Sequence, residues 1–353
     1  MRFGVRSLFV VAAGILAQAS VALAQAPTVT VSGVGYAQYS YQLKVDSTLS
    51  PAGHQNNFDV TRAYINVIGK FTGGLTTRVT ADIDGRKAAP NQQTFRLKYA
   101  YLAWTPEKSA LTYKIGQMHT PFIDWEEALW DYRMQGTMPL ERNGYLSSSD
   151  LGAGVDGMWK FDAVNMQVGV YNGENYNNTP GDQRKEVEGR VSVRLIKSDF
   201  AGRVGGLRVT AYGDYGIPTG GGAKQRFLGM LSYKSKQWTL AGQYAITKDR
   251  TAAAPIDLKG SVMSVYGVWN VPKSGVGVIG RVDIVDPNRD TSSTTPSLAV
   301  NKQTRVIAGV SYQVTPNLRV LGDVDLNSLA KGSPTNAFDR TREAALFQTQ
   351  FTF

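Results

Sequence analysis

From position 29 to its last residue, the chain is built of short segments in which apolar and polar side chains alternate one by one. A period of two is the mark of a β-strand with two different faces. Over 58–72, Ala63, Ile65, Val67 and Phe71 share one face, and Arg62, Tyr64, Asn66 and Lys70 share the other. Over 75–84, Leu75, Val79, Ala81 and Ile83 oppose Thr76, Arg78, Thr80 and Asp82. Turn residues cut the chain into about sixteen such segments, and the connections alternate in length. Short turns sit at Gly73, Pro106, Asp162, Ser235, Pro272 and Pro316, while longer polar stretches cover 43–57, 85–94, 118–150, 173–187, 250–258, 287–301 and 328–341. A regular long–short rhythm with an even strand number predicts a closed antiparallel barrel, with turns at one rim and loops at the other. Two connections depart from the rhythm: 197–206 is long for a turn, and 218–224 is short for a loop.

In a barrel of this kind the apolar faces meet lipid and the polar faces line water. The N-terminus supports that setting. Arg2 and Arg6 precede an apolar stretch, Leu8 to Leu16, and Ala22-Leu23-Ala24 has the small-residue pattern of a cleavage site. Residues 1–24 are therefore expected to be a removable signal peptide and 25–353 the barrel; removal takes the net charge from +10 to +8. No later stretch approaches the ~18 apolar residues of a membrane helix, a test that strands escape. Trp104, Trp159, Trp238, Trp269, Tyr233 and Tyr312 fall near strand ends, as residues of an interfacial girdle do. The 37 glycines and 17 tyrosines suit many turns and many half-buried strands. At the C-terminus Ala345, Phe347, Thr349, Phe351 and the terminal Phe353 share one face. This resembles the last strand of bacterial outer-membrane proteins, and the resemblance implies that Phe353 is read by the barrel-assembly machinery.

The longest irregular stretch, 118–150, follows the hairpin 95–117, and long loops of this kind are usually functional. Within it, Asp124-Trp125-Glu126-Glu127-Ala128-Leu129-Trp130 fits a short helix that Asp124 can N-cap, with Glu126 and Glu127 near its positive end. Trp125, Leu129 and Trp130 give it an apolar side. The expectation is a plug packed on the inner wall, because tryptophans in a free loop would be costly to expose. The loop carries Asp124, Glu126, Glu127, Asp131 and Glu141 beside His119, Arg133 and Arg142.

Ala100-Tyr101-Leu102-Ala103-Trp104, Tyr113-Lys114-Ile115-Gly116-Gln117 and Pro121-Phe122, with Phe58-Asp59-Val60-Thr61-Arg62-Ala63-Tyr64 before them, resemble the phosphate-selective porin family. The resemblance implies a sixteen-stranded trimeric porin with an inward-folded third external loop and a basic pore. The face assignments agree in sign, with thirteen Lys and Arg but eight Asp and Glu falling on polar faces. Arg62, Arg78, Arg96, Lys98 and Lys114 lie on consecutive strands and, with Arg133, form the expected anion path; Asp124, Glu126, Glu127 and Asp131 form the constriction loop that faces it.

Other chemistries find little support. The chain has no cysteine, which excludes disulfides and thiolate metal sites. Gly152-Ala153-Gly154-Val155-Asp156-Gly157 matches a nucleotide-binding pattern without the strand–turn–helix setting it needs, so its glycines read as strand residues. Asp82-Ile83-Asp84-Gly85 lacks the remaining ligands of a calcium loop and reads as rim acids. His54 and His119 show no paired nucleophile. Basic residues are spread one or two per strand rather than clustered for nucleic acid. The expected protein is thus an outer-membrane porin for small anionic or polar solutes, without cofactor, metal or catalysis. A nonselective porin is the alternative, and an outer-membrane enzyme or an adhesin-like barrel comes after it.

Overall fold

The computed structural model describes residues 27–44, 52–84, 93–178, 183–217, 222–251, 257–289, 302–329 and 343–353. The expected signal peptide lies outside them. The strands are β1 (Thr28–Gln42), β2 (Asn56–Lys70), β3 (Leu75–Asp84), β4 (Thr94–Trp104), β5 (Leu111–His119), β6 (Ser149–Trp159), β7 (Val164–Tyr171) and β8 (Glu186–Ile196). They continue with β9 (Gly206–Gly216), β10 (Gly222–Lys234), β11 (Trp238–Thr251), β12 (Asp257–Asn270), β13 (Val276–Asp286), β14 (Gln303–Thr315), β15 (Leu318–Leu329) and β16 (Ala344–Thr352). Each pairs antiparallel with its sequence neighbours, and β1 pairs with β16, so the sheet closes into a sixteen-stranded barrel. The glycines of the nucleotide-like pattern lie inside β6.

The alternation resolves as a barrel requires. Outward Ile65, Val67, Val79, Leu102, Val265 and Val310 are exposed on the outer surface, and inward Arg62, Asp82, Arg208, Ser264 and Asp283 are buried. Trp104, Trp159, Trp238, Trp269 and Tyr312 are exposed at the short-turn rim, where Trp238 and Trp269 stack at 5.6 Å. The seam is sealed by aromatic rings over bare backbone: a Cβ at Gly33 or Gly35 would meet the ring of Phe353 or Phe351 at 2.2 Å.

Two irregularities shape the interior. In β4 the pairing with β3 skips from Tyr99 to Leu97, leaving Lys98 as the extra residue of a β-bulge. The bulge shifts the strand by one step, so Lys98 and Tyr99 are both buried inward while Leu97 and Leu102 stay outside. In addition, β4 pairs with β5 only from Ala100 to Trp104. Beyond that point the chain leaves the wall after β5 and enters the lumen. Ser149 spans the gap by donating from Oγ to the Lys98 carbonyl at 2.6 Å.

Candidate functional site: the lumen constriction

The interior segment begins with helix α1 (Ile123–Leu129), passes a 3-10 turn at Arg133–Gln135 and ends with α2 (Pro139–Arg142). Its apolar side chains make the buried cluster of the molecule: Phe122, Ile123, Trp125, Leu129, Trp130 and Met138 have no exposure. Cations of the wall hold its polar backbone. Lys234 donates to the carbonyls of Ala128 (3.0 Å) and Leu129 (3.1 Å) and pairs with Asp131 at 2.8 Å. A cation thereby meets the negative end of α1. Arg190 donates to the Pro121 carbonyl at 2.9 Å, and its guanidinium lies 4.0 Å from the ring centre of Trp125. Arg319 reaches the Asp131 carbonyl at 3.2 Å, Arg281 the Thr137 carbonyl at 3.3 Å, and Gln348 the Met134 carbonyl at 2.8 Å. Tyr132 shares a 2.8 Å hydroxyl contact with Ser311.

Asp124 is placed differently from the sequence expectation. The N-cap of α1 is Phe122, with no side-chain cap, and Asp124 sits in the first turn. Its carboxylate is drawn to Arg203 at 2.6 Å. Burial alone would raise its pKa, but Arg203 and then His119 hold it well below the usual carboxylate range. Arg203 belongs to the long 197–205 turn. This connection is long because it reaches under the helix, where Val204 is buried and Phe200 packs on the same cluster. Glu126 lies on the wall side of α1 with no exposure. Burial pushes its carboxyl up to about 8, with Arg281 and Gln243 opposing the shift. Glu127 pairs with Arg133 at 2.8 Å, and Arg133 lies 3.6 Å from Glu141. Burial would lower the Arg133 pKa, yet the two glutamates raise it.

Across from this segment, β2–β5 carry the five basic residues singled out above. Arg62 bonds Asp82 at 3.2 Å and Asp84 at 2.9 Å, while Arg96 also contacts both aspartates. Lys114 pairs with Asp156. Two cations differ. Arg78 donates to Asn66 (2.8 Å) and Thr80 (3.0 Å) and meets His119 Nε2 at 3.2 Å. Lys98 donates to the Tyr64 hydroxyl at 3.3 Å and lies 4.8 Å from the Tyr64 ring centre and 5.5 Å from that of Tyr99. Neither forms a salt bridge among the described residues. Burial would raise the Glu141 carboxyl, yet the fields of Arg133, Lys98 and Arg62 hold it below its ordinary range, so the loop acid feels the charge of this wall.

His119 stands where β5 gives way to the interior segment. Its ring stacks on Tyr99 at 4.0 Å, and Nε2 also lies 3.5 Å from Asp124. Alternation puts Tyr64 on the polar face, as found, but the bulge hides Tyr99 from it. Nothing in the sequence marks Arg203 and Lys234 as anchors. On the loop side of the barrel a cavity of about 1080 Å³ is lined by Tyr36, Arg62, Asp84, Arg133, Glu141 and Tyr176 among others.

This architecture has many solved counterparts. OmpF of Salmonella typhi, in complex with daunomycin, superposes with a TM-score of 0.68 at 14% identity, covering 92% of this chain and 97% of that one. An anion-selective porin from Comamonas acidovorans gives 0.65 at 12% identity over 92% and 98% of the two chains. A loop-deletion form of OmpT, an outer-membrane protein of Vibrio cholerae, gives 0.65 at 14% identity over 93% and 100%. No curated protein sequence matches. Residues 33–273 match the sequence profile of the family described as phosphate-selective porin O and P. With its barrel, outward apolar band and interior loop in place, the chain belongs to the phosphate-selective porin O and P family and resides in the bacterial outer membrane.

Proposed function

We propose that this porin is a passive diffusion channel for small hydrophilic solutes with a bias toward anions such as phosphate, working as a homotrimer without cofactor or metal. The observation that carries the bias is Arg78 and Lys98, two cations on the wall facing the interior loop that have no carboxylate partner among the described residues. The loop acids opposite are engaged: Asp124 by Arg203, Asp131 by Lys234, and Glu127 and Glu141 by Arg133. Arg62, Arg96 and Lys114 supply less than the sequence count suggests, because aspartates neutralise them in place. That neutralisation favours a second reading, a porin with little selectivity. The Comamonas fold relative is anion-selective and one Vibrio OmpT form is trimeric, which supports the bias and the assembly. Phe353 remains the proposed assembly signal, and the solutes cross without chemical change.

A unit charge ~7 Å from an ion contributes about 0.6 kcal/mol in water. Two cations therefore produce a modest preference that salt screens, since the Debye length falls from ~10 Å at 0.1 M to ~3 Å at 1 M. Zero-current potentials in asymmetric KCl should show chloride preferred at 0.1 M, with the preference fading at 1 M. Arg78→Gln with Lys98→Gln should abolish it. Preference for potassium in the unmodified channel at 0.1 M would overturn the anion reading and leave the porin assignment standing.

A further inference from the structure

The turn between β6 and β7 is unlike the other short turns. In the other short turns the left-handed backbone positions fall to Gly73, Gly74 and Gly275, where glycine is free to adopt them, and to single lysines, Lys108 and Lys273. Here Lys160, Phe161 and Asp162 adopt φ of 51°, 54° and 63° in succession. Three consecutive side-chain-bearing residues in this region need outside support. They have it from two arginines. Arg208 donates to the Asp162 carbonyl at 2.7 Å and to its carboxylate at 2.5 Å, and Arg194 donates to the Phe161 carbonyl at 2.7 Å. The clamped turn holds out a phenylalanine ring that is 96% exposed.

The surroundings indicate what would cover it. Trp159, the last residue of β6, belongs to the exposed aromatic rim, so the tip continues the lipid-facing band by two residues. Leu195 and Ile196 are exposed at the end of β8, whose Arg194 amide bonds the Ala163 carbonyl at 2.7 Å. Lys160 and Lys197 are exposed at the same edge. The nearby Asp162 is occupied by Arg208. Apolar side chains bordered by ammonium groups that make no ion pair among the described residues match the boundary between acyl chains and anionic head groups.

We infer that the 160–163 turn is a lipid anchor. Short turns of outer-membrane barrels lie on the periplasmic side, so Phe161 inserts into the inner-leaflet boundary, and Lys160 and Lys197 engage the head group of an anionic phospholipid. This does not depend on what the pore conducts. Because the chain has no cysteine, Phe161→Cys gives a unique labelling site. Labelled with an environment-sensitive fluorophore after folding and placed in phosphatidylethanolamine vesicles, it should be quenched by nitroxide-bearing lipid several-fold more strongly than the same label at Glu107→Cys, on the next turn. Aqueous iodide should show the reverse order, and added phosphatidylglycerol should deepen the blue shift at 161. If Phe161→Cys does not fold, Lys160→Cys is read with the same two quenchers. Equal iodide access at both turns, or protection at 161 from both quenchers, as a covering second copy would give, overturns the lipid anchor. Indifference to phosphatidylglycerol overturns the anionic head-group assignment.

Discussion

Lys98 and Lys234 project into the same lumen from strands six places apart, and both are almost fully buried. Lys234 is saturated by two helix carbonyls and a carboxylate, all from the interior loop. Lys98 has one phenol oxygen and the faces of tyrosine rings. The same contrast extends to their neighbours. On β8–β15, Arg190, Arg281 and Arg319 donate to loop carbonyls, so their charge positions the loop. On β2–β5 the cations contact strand carboxylates, amides and rings. Counting inward charges treats both walls alike. The partner of each cation decides whether its charge is used in construction or offered to a passing ion.

The largest effect should come from the anchoring wall. Lys234→Met leaves Asp131 and two helix carbonyls without their donor, and breaking a buried pair costs ~3–5 kcal/mol. Asp131 is partly exposed, so the lower end applies. The heat-modification midpoint should fall and single-channel conductance should rise as α1 loosens, with little change in ion preference. Lys98→Met should do the opposite, losing ~1–2 kcal/mol of ring contact while shifting the zero-current potential toward cations. If both variants changed only stability, the distinction between the walls would fail.

A smaller effect concerns Glu126, whose folded pKa of about 8 exceeds the unfolded value of 4.5. A raised pKa stabilises the folded form fully below 4.5, and the contribution is lost as pH rises through about 8. Melting midpoints between pH 5 and 9 should therefore decline more steeply for the native chain than for Glu126→Gln. A parallel decline in both would remove Glu126 from the account.

The smallest effect tests charge that is paired on each wall. Asp84→Asn should release part of the Arg62 and Arg96 charge and modestly strengthen chloride preference. Arg305→Gln with Asp325→Asn, which removes a pair of opposite charges from the other wall without changing net charge, should leave the zero-current potential unchanged. A shift from the second change as large as from the first would show that position around the lumen is irrelevant.

Most of the barrel was legible because alternation is a local property. Leu75–Asp84 has the same bounds by pattern and by structure, and the strand number and closure follow from counting turns. The constriction was less legible because its decisive features are not periodic. The bulge at Lys98 inserts one residue without any compositional mark, and it turns Tyr99 inward beside the lysine. The pairing of Arg62 and Arg96 with Asp82 and Asp84 depends on the register of three strands. Asp124 looked like a helix cap because its partner, Arg203, lies far along the chain in a turn whose unusual length was the visible sign of it.

The rings of Phe351 and Phe353 over Gly35 and Gly33 bear on the order of folding. Fifteen of the sixteen pairings join neighbours in sequence and can form as hairpins; β1 with β16 joins the two ends of the chain. Until that pairing forms, both strands are open edges able to recruit other chains. The entropic cost of closing so long a loop grows only slowly with its length, by about 0.6 kcal/mol per doubling. What the seam lacks is speed, because contacts distant in sequence form late. Two glycines without side chains and two phenylalanines that cover them give the late encounter a surface to hold while the hydrogen bonds align. The end of this chain thus governs how long the unfinished sheet stays vulnerable to aggregation.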